Sequence, residues 1–109
     1  MKKKKIINGI TFYRHLNGDG LVAETATVAK TVYIGSKAMV YDNARVTGNV
    51  RVSGDAKISG NVIVTGNAKI SGNAKILGSE VSGNAKISGD SVVYVGAKIS
   101  GDLVLKETR

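Results

Sequence analysis

The stretch Asn67-Ala68-Lys69-Ile70-Ser71-Gly72-Asn73-Ala74-Lys75-Ile76-Leu77-Gly78 states one six-residue phrase twice, and the phrase returns as Asn84-Ala85-Lys86-Ile87-Ser88-Gly89. Looser copies run outward in both directions. The large aliphatic recurs at six-residue steps through Val28, Ile34, Val40, Val46, Val52, Ile58, Val64, Ile70 and Ile76, and continues as Val81, Ile87, Val93, Ile99 and Leu105. Leu16 and Val22 extend the pattern weakly toward the N-terminus. Two places before each aliphatic stands a smaller residue, such as Ala38, Ala44, Val50, Ala56 or Ala68. Two places after it comes a glycine, usually followed by Asn or Asp, as in Gly54-Asp55 and Gly66-Asn67.

Residues two apart on a strand point the same way, so the small residue and the aliphatic share the inner face. The residue between them, usually Lys or Arg in mid-chain, points out, as does the Ser or Thr after the aliphatic. Gly-Asn and Gly-Asp accept the positive φ of a sharp corner at little cost. A helix is excluded, because a glycine and a β-branched residue in every six are poor helix formers. Each hexamer is therefore a very short strand plus a corner. One hexamer cannot bury its own inner face, so successive hexamers must wind into stacked coils with strands about 4.8 Å apart.

One step is short. Ile76 to Val81 spans five residues, not six. A slip of one residue inside a strand would turn the inner face outward. The loss must fall at the corner, and a tightened turn is expected near Leu77-Gly78-Ser79-Glu80, with drift of the repeat as its simplest origin.

The order small residue, any residue, aliphatic, any residue, Gly, Asn or Asp resembles the hexapeptide-repeat left-handed β-helix. The resemblance covers about residues 16–105. It implies an all-β, single-domain triangular prism in which three hexamers make a coil, and the left-handedness comes from it alone. The segment Ile7-Asn8-Gly9-Ile10-Thr11-Phe12-Tyr13-Arg14 followed by repeats is similar to small non-enzymatic hexapeptide-repeat proteins of phages and prophages. Residues 1–15 read as a basic tail and cap, with Ile10–Leu16 a strand or hairpin and Phe12 packed over the end of the core. Residues 106–109 read as a charged C-terminal end, carrying Lys106, Glu107 and Arg109.

Composition narrows the chemistry. The 109 residues carry a net charge of +8, no Cys, one His and one Phe. Without Cys there is no disulfide, thiolate metal site or Cys nucleophile. No run approaches a membrane span, and no apolar stretch long enough for a signal peptide follows Lys2–Lys5, so a cytoplasmic protein is expected. The resemblance extends to trimeric acyltransferases that use a His base. Here the one candidate is His15, in the cap. It also extends to γ-class carbonic anhydrase, whose three metal-binding histidines one His cannot supply. No cofactor and no metal are expected. The flanks, mostly Lys, Arg and Ser, lack the flat Thr ladders of an ice-binding solenoid.

Stacking every third hexamer sorts the outward residues. One face carries Arg51, Lys69 and Lys86 in a column beside Ser53, Ser71 and Ser88. Lys57 and Lys75 stand on another, among Met39, Tyr41, Leu77, Val92 and Tyr94. A third face has Ile63 between Arg45 and Glu80. Like charges in a row repel, and a bound anion would relieve them. A solvated face with splayed side chains accounts for the same pattern. The expectation is a non-catalytic binding module whose Arg51, Lys57, Lys69, Lys75 and Lys86 engage an anionic ligand or an acidic protein. Nucleic acid is less favoured, because aromatics do not interleave with the column. The Met39–Tyr41–Leu77–Val92–Tyr94 face is expected to be buried in a homo-oligomer, a trimer by family habit. The alternative is a self-assembling scaffold resembling bactofilin-like polymers, and an acyltransferase ranks third.

Overall fold

The structure, a computed structural model, describes residues 4–102 and 104–105. The N-terminal hairpin is β1 (Lys4–Ile7) and β2 (Ile10–Arg14). A first coil follows with β3 (Leu21–Ala23), β4 (Thr27–Val28) and β5 (Tyr33–Ile34). The second holds β6 (Met39–Val40), β7 (Arg45–Val46) and β8 (Arg51–Val52); the third β9 (Lys57–Ser59), β10 (Ile63–Val64) and β11 (Lys69–Ile70). The fourth holds β12 (Lys75–Leu77), β13 (Glu80–Val81) and β14 (Lys86–Ile87); the fifth β15 (Val92–Val93), β16 (Lys98–Ile99) and β17 (Val104–Leu105). Every third strand stacks in parallel, giving a β-solenoid with three faces. Face A contains β3, β6, β9, β12 and β15; face B β4, β7, β10, β13 and β16; face C β5, β8, β11, β14 and β17.

The inner columns are those set by the repeat. Val40, Ile58, Ile76 and Val93 stack in register on face A, and Ile34, Val52, Ile70 and Ile87 on face C. These side chains and their small companions Ala38, Ala56 and Ala74 form one continuous buried core. Each buried Val or Ile contributes about 1.5–3 kcal/mol. That sum outweighs the poor intrinsic stability of strands this short.

The corners keep the coils in step. On the edge between faces B and C, Gly48, Gly66 and Gly83 have φ of 79°, 75° and 69°. The N–H of Asn49 donates to the Gly66 carbonyl at 2.9 Å, and that of Asn67 to the Gly83 carbonyl at 2.8 Å. A Cβ on Gly66 would lie 2.8 Å from the Gly83 oxygen, so glycine is required there by contact as well as by φ.

The five-residue step is absorbed where expected. Val46, Val64 and Val81 stay in register, so the coil offset falls from 18 residues (46 to 64) to 17 (64 to 81). Gly78 takes φ 42°, its N–H donates to the Ser59 carbonyl at 3.1 Å, and its own carbonyl accepts from Gly96 N–H at 2.9 Å. Ser79 then occupies the small inward position, where its Oγ is buried with no hydrogen-bond partner. Leaving a buried hydroxyl unpaired costs about 1–3 kcal/mol. Ser79→Ala is therefore expected to stabilise the fold by about 1 kcal/mol, read as a higher urea midpoint at unchanged slope.

The N-terminal end departs from the sequence expectation. β1 and β2 form an antiparallel hairpin turning at Asn8 (φ 51°) and Gly9 (φ 80°), and β2 extends face A by antiparallel pairing with β3. Phe12 does not sit over the core end. It pairs with Ala23 and packs on the outer side of face A with Leu21 and Ala23, against Ile7, Met39 and Tyr41. The reason is alternation. Val22 turns inward to the prism core, so its neighbours Leu21 and Ala23 must face out, and Phe12 covers them. Residues 15–20 instead cover the face C side of the prism end, and an open hollow lined by Val22, Ala26 and Val28 lies beside them. Buried His15 places Nε2 2.8 Å from the Val32 carbonyl, and Gly20 and Asn17 exchange backbone bonds with Ile34. Leu16 does not continue the inward pattern; it is 72% exposed within this turn. The C-terminal charges at 106–109 lie outside the described residues.

Candidate functional site

On face C the outward column reads Tyr33, Arg51, Lys69, Lys86 and Val104, each directly in register with the next. The three cations are exposed, and the in-register neighbours of each are another cation, an aromatic ring or an apolar side chain. Their spacing is that of stacked strands, about 4.8 Å at the backbone. Tyr33 is an element the sequence reading missed. The Arg51 guanidinium lies 4.9 Å from its ring centroid. Such a contact orients the planar fork and steadies it by about 0.5–1 kcal/mol at an exposed site. The offset from 33 to 51, one coil, was the signal that could have found it.

The polar corners beside this column bond among themselves. Asn67 Nδ2 donates to Asn84 Oδ1 at 3.4 Å, and Asn84 Nδ2 to Asp102 Oδ1 at 3.2 Å. On the far corner Asn73 Nδ2 donates to Asp90 Oδ1 at 3.2 Å. These bonds run along the prism axis, so the amides are engaged with one another and with the corner carboxylates, and the ammonium and guanidinium groups face solvent.

Lys57 and Lys75 form a separate column on face A, in register with Met39 on one side and Val92 on the other. The corner of Asp55, Asn73 and Asp90 stands between the two columns. Arg51, Lys69 and Lys86 are thus brought together, and Lys57 and Lys75 lie around the corner from them.

The five apolar residues of face A are split. Met39 and Tyr41 are half-buried under the hairpin, with the Phe12 and Tyr41 rings edge to face at 6.4 Å. Lys57, Ser59 and Lys75 intervene. Leu77 and Val92 are half-buried beyond them, and Tyr94 is 67% exposed.

His15, the acyl-transfer candidate, directs Nε2 at the Val32 carbonyl inside the end cap. Among the described residues no group of three or more His, Cys, Asp or Glu could hold a metal ion. No helix among them is long and apolar enough to cross a membrane.

Part of the chain has a counterpart among known protein families. No curated protein and no solved structure matches it. Residues 38–54 match the family model of the YdcK β-solenoid repeat. That stretch contains β6, β7 and β8, one strand on each face, so one full coil of this solenoid is similar to the YdcK repeat.

Proposed function

We propose that the protein is a non-catalytic binding module that holds an anionic ligand or an acidic protein surface along face C. The observation that carries this reading is the register of Lys69 between Arg51 and Lys86. A solenoid fixes these backbones rigidly, so the cations cannot separate except by splaying their side chains. An anion laid along the column removes that repulsion and meets an arginine already oriented by Tyr33. Lys57 and Lys75 form a second, weaker contact around the corner. The net charge of +8 supports long-range attraction of such a partner. The hexapeptide pattern supports a protein of the small phage type, in which sequestering a nucleotide signal or blocking a host enzyme in the cytoplasm is the setting this reading suggests.

The test is titration with inorganic polyphosphate and with ATP, followed by thermal shift at several salt concentrations. The melting temperature is expected to rise with ligand. Log Kd should vary with log salt at a slope of about 2–3 for three contacts, by analogy with counterion release. Lys69→Glu with Lys86→Glu should weaken binding at least tenfold, and Lys57→Glu with Lys75→Glu less. Equal loss from both pairs, or no loss, would remove face C from the reading. Light scattering on the same samples separates the second reading, a self-assembling trimer or filament using exposed Tyr94 and Val95. That assembly gains mass with protein concentration alone.

A further inference from the structure

Four departures from the repeat meet at one place, the edge between faces A and B. The corner position held by glycine in most hexamers is Asp42 here, with φ 61°. An aspartate tolerates this left-handed backbone less well than glycine does. Its carboxylate is held in place, with Oδ2 accepting the Gly60 N–H at 3.0 Å. One coil on, Asn61 breaks the rule of the other edges. Asn49, Asn67 and Asn84 donate their backbone N–H to the next coil's glycine, and Asn67, Asn73 and Asn84 join carboxamide ladders. Asn61 makes neither bond and is exposed. Next, the residue that should follow Gly78 is missing. Finally, Val95 stands where the other edges carry glycine, and it is 78% exposed.

The missing residue shortens the fourth coil at this edge, where Gly78 lies between Gly60 of the third coil and Val95 of the fifth. Beside it is a recess of about 350 Å³ lined by Asp42, Ser59, Asn61, Leu77 and Val95 with Gly60 and Gly78. It lies within the size range of small-molecule pockets. A smaller hollow of about 160 Å³, which shares Asn61 and Gly78, continues round to Glu80 and Lys98 on face B.

We propose that this notch binds a neutral sugar residue, a pyranose ring. The lining decides among ligand classes. An anion would meet the Asp42 carboxylate. A metal ion would find Asp42 as the one carboxylate in the larger recess. A wholly apolar ligand would bury the second oxygen of that carboxylate and the Asn61 amide unpaired, which is costly. A pyranose answers each group. Its adjacent hydroxyls donate to Asp42 and exchange bonds with the Asn61 carboxamide, which both donates and accepts. Its C–H face lies on Leu77 and Val95. The site is separate from the cation column of face C and does not depend on it.

The experiment is a titration of the intact protein with methyl glucoside, galactoside, mannoside and N-acetylglucosaminide, followed by backbone amide NMR shifts, with inorganic phosphate as a comparison. At least one glycoside is expected to shift the amides of Asn61, Gly78 and Val95. Asp42→Gly places at φ 61° the residue that suits it, so this variant should melt no lower than the parent while binding at least tenfold more weakly. Inserting Asn after Gly78 rebuilds the six-residue corner, closes the recess and should abolish the shifts. The proposal is overturned if none of the four glycosides moves those amides, if Asp42→Gly binds as the parent does, or if phosphate moves them and the glycosides do not.

Discussion

Ile70→Ala is expected to cost about 3–4 kcal/mol, measured as the loss of unfolding free energy in urea. Ile70 is fully buried in the central coil, in register between Val52 and Ile87. Truncating a buried isoleucine removes its transfer free energy and leaves a cavity, together about 2–5 kcal/mol. The upper half of that range applies because the coil cannot collapse onto the hole. Its backbone is pinned on both sides by the strands above and below. For a domain whose whole stability is about 5–10 kcal/mol, this is a large share. A solenoid is also nearly one-dimensional, so weakening a middle coil uncouples the halves on either side. The control is Ile99→Ala. Ile99 occupies the same kind of inward position in the fifth coil but is 6% exposed, and its loss should be smaller. Equal losses, or a loss below about 1 kcal/mol at Ile70, would mean that the aliphatic column is not the main source of stability.

The second large effect is expected at a corner and compares two glycines with the same backbone. Gly72 and Gly101 both have φ 67°. A Cβ on Gly72 would lie 2.7 Å from the Gly89 nitrogen and 2.9 Å from its carbonyl oxygen, whereas a Cβ on Gly101 would meet nothing within 4 Å. Gly101→Ala should therefore show the left-handed backbone cost alone, about 1–2 kcal/mol. Gly72→Ala adds a clash with backbone that cannot rotate away. Relief requires separating two coils, which breaks the bond from Asn73 N–H to the Gly89 carbonyl. A total of about 3 kcal/mol or more is expected, because lost packing and a lost hydrogen bond add to the strain. Denaturation of both variants measures the difference. If they lose the same amount, the corners are held by local φ preference, and the close stacking of glycine on glycine has no energetic role.

The two effects describe complementary constraints. The aliphatic columns supply most of the free energy of the prism, and the corners fix the distance at which it is delivered. The surface is the by-product. Once the inner columns are in register, whatever lies between Ala and Ile must also be in register, which is why Arg51, Lys69 and Lys86 cannot avoid one another. The same rigidity makes an omitted residue visible. In a flexible loop the shortening between Ile76 and Val81 would be smoothed over several residues. Here the neighbouring coils hold their positions, and a recess opens beside Asp42 and Asn61.

By itself the sequence determined the solenoid, the inward set from Val28 to Leu105, the place of the shortened corner and the grouping of the cation columns. These follow because each repeat residue meets the residue at the same phase one coil away, so a local pattern fixes a distant contact. Tertiary structure alone decided what the non-repeating residues do. Phe12 covers the outer side of face A, and His15 and its turn sit over the face C side of the prism end. Tyr33 supports Arg51, and the notch gathers Asp42, Asn61, Leu77 and Val95. Those contacts join residues with no common phase, and periodicity carries no information about them.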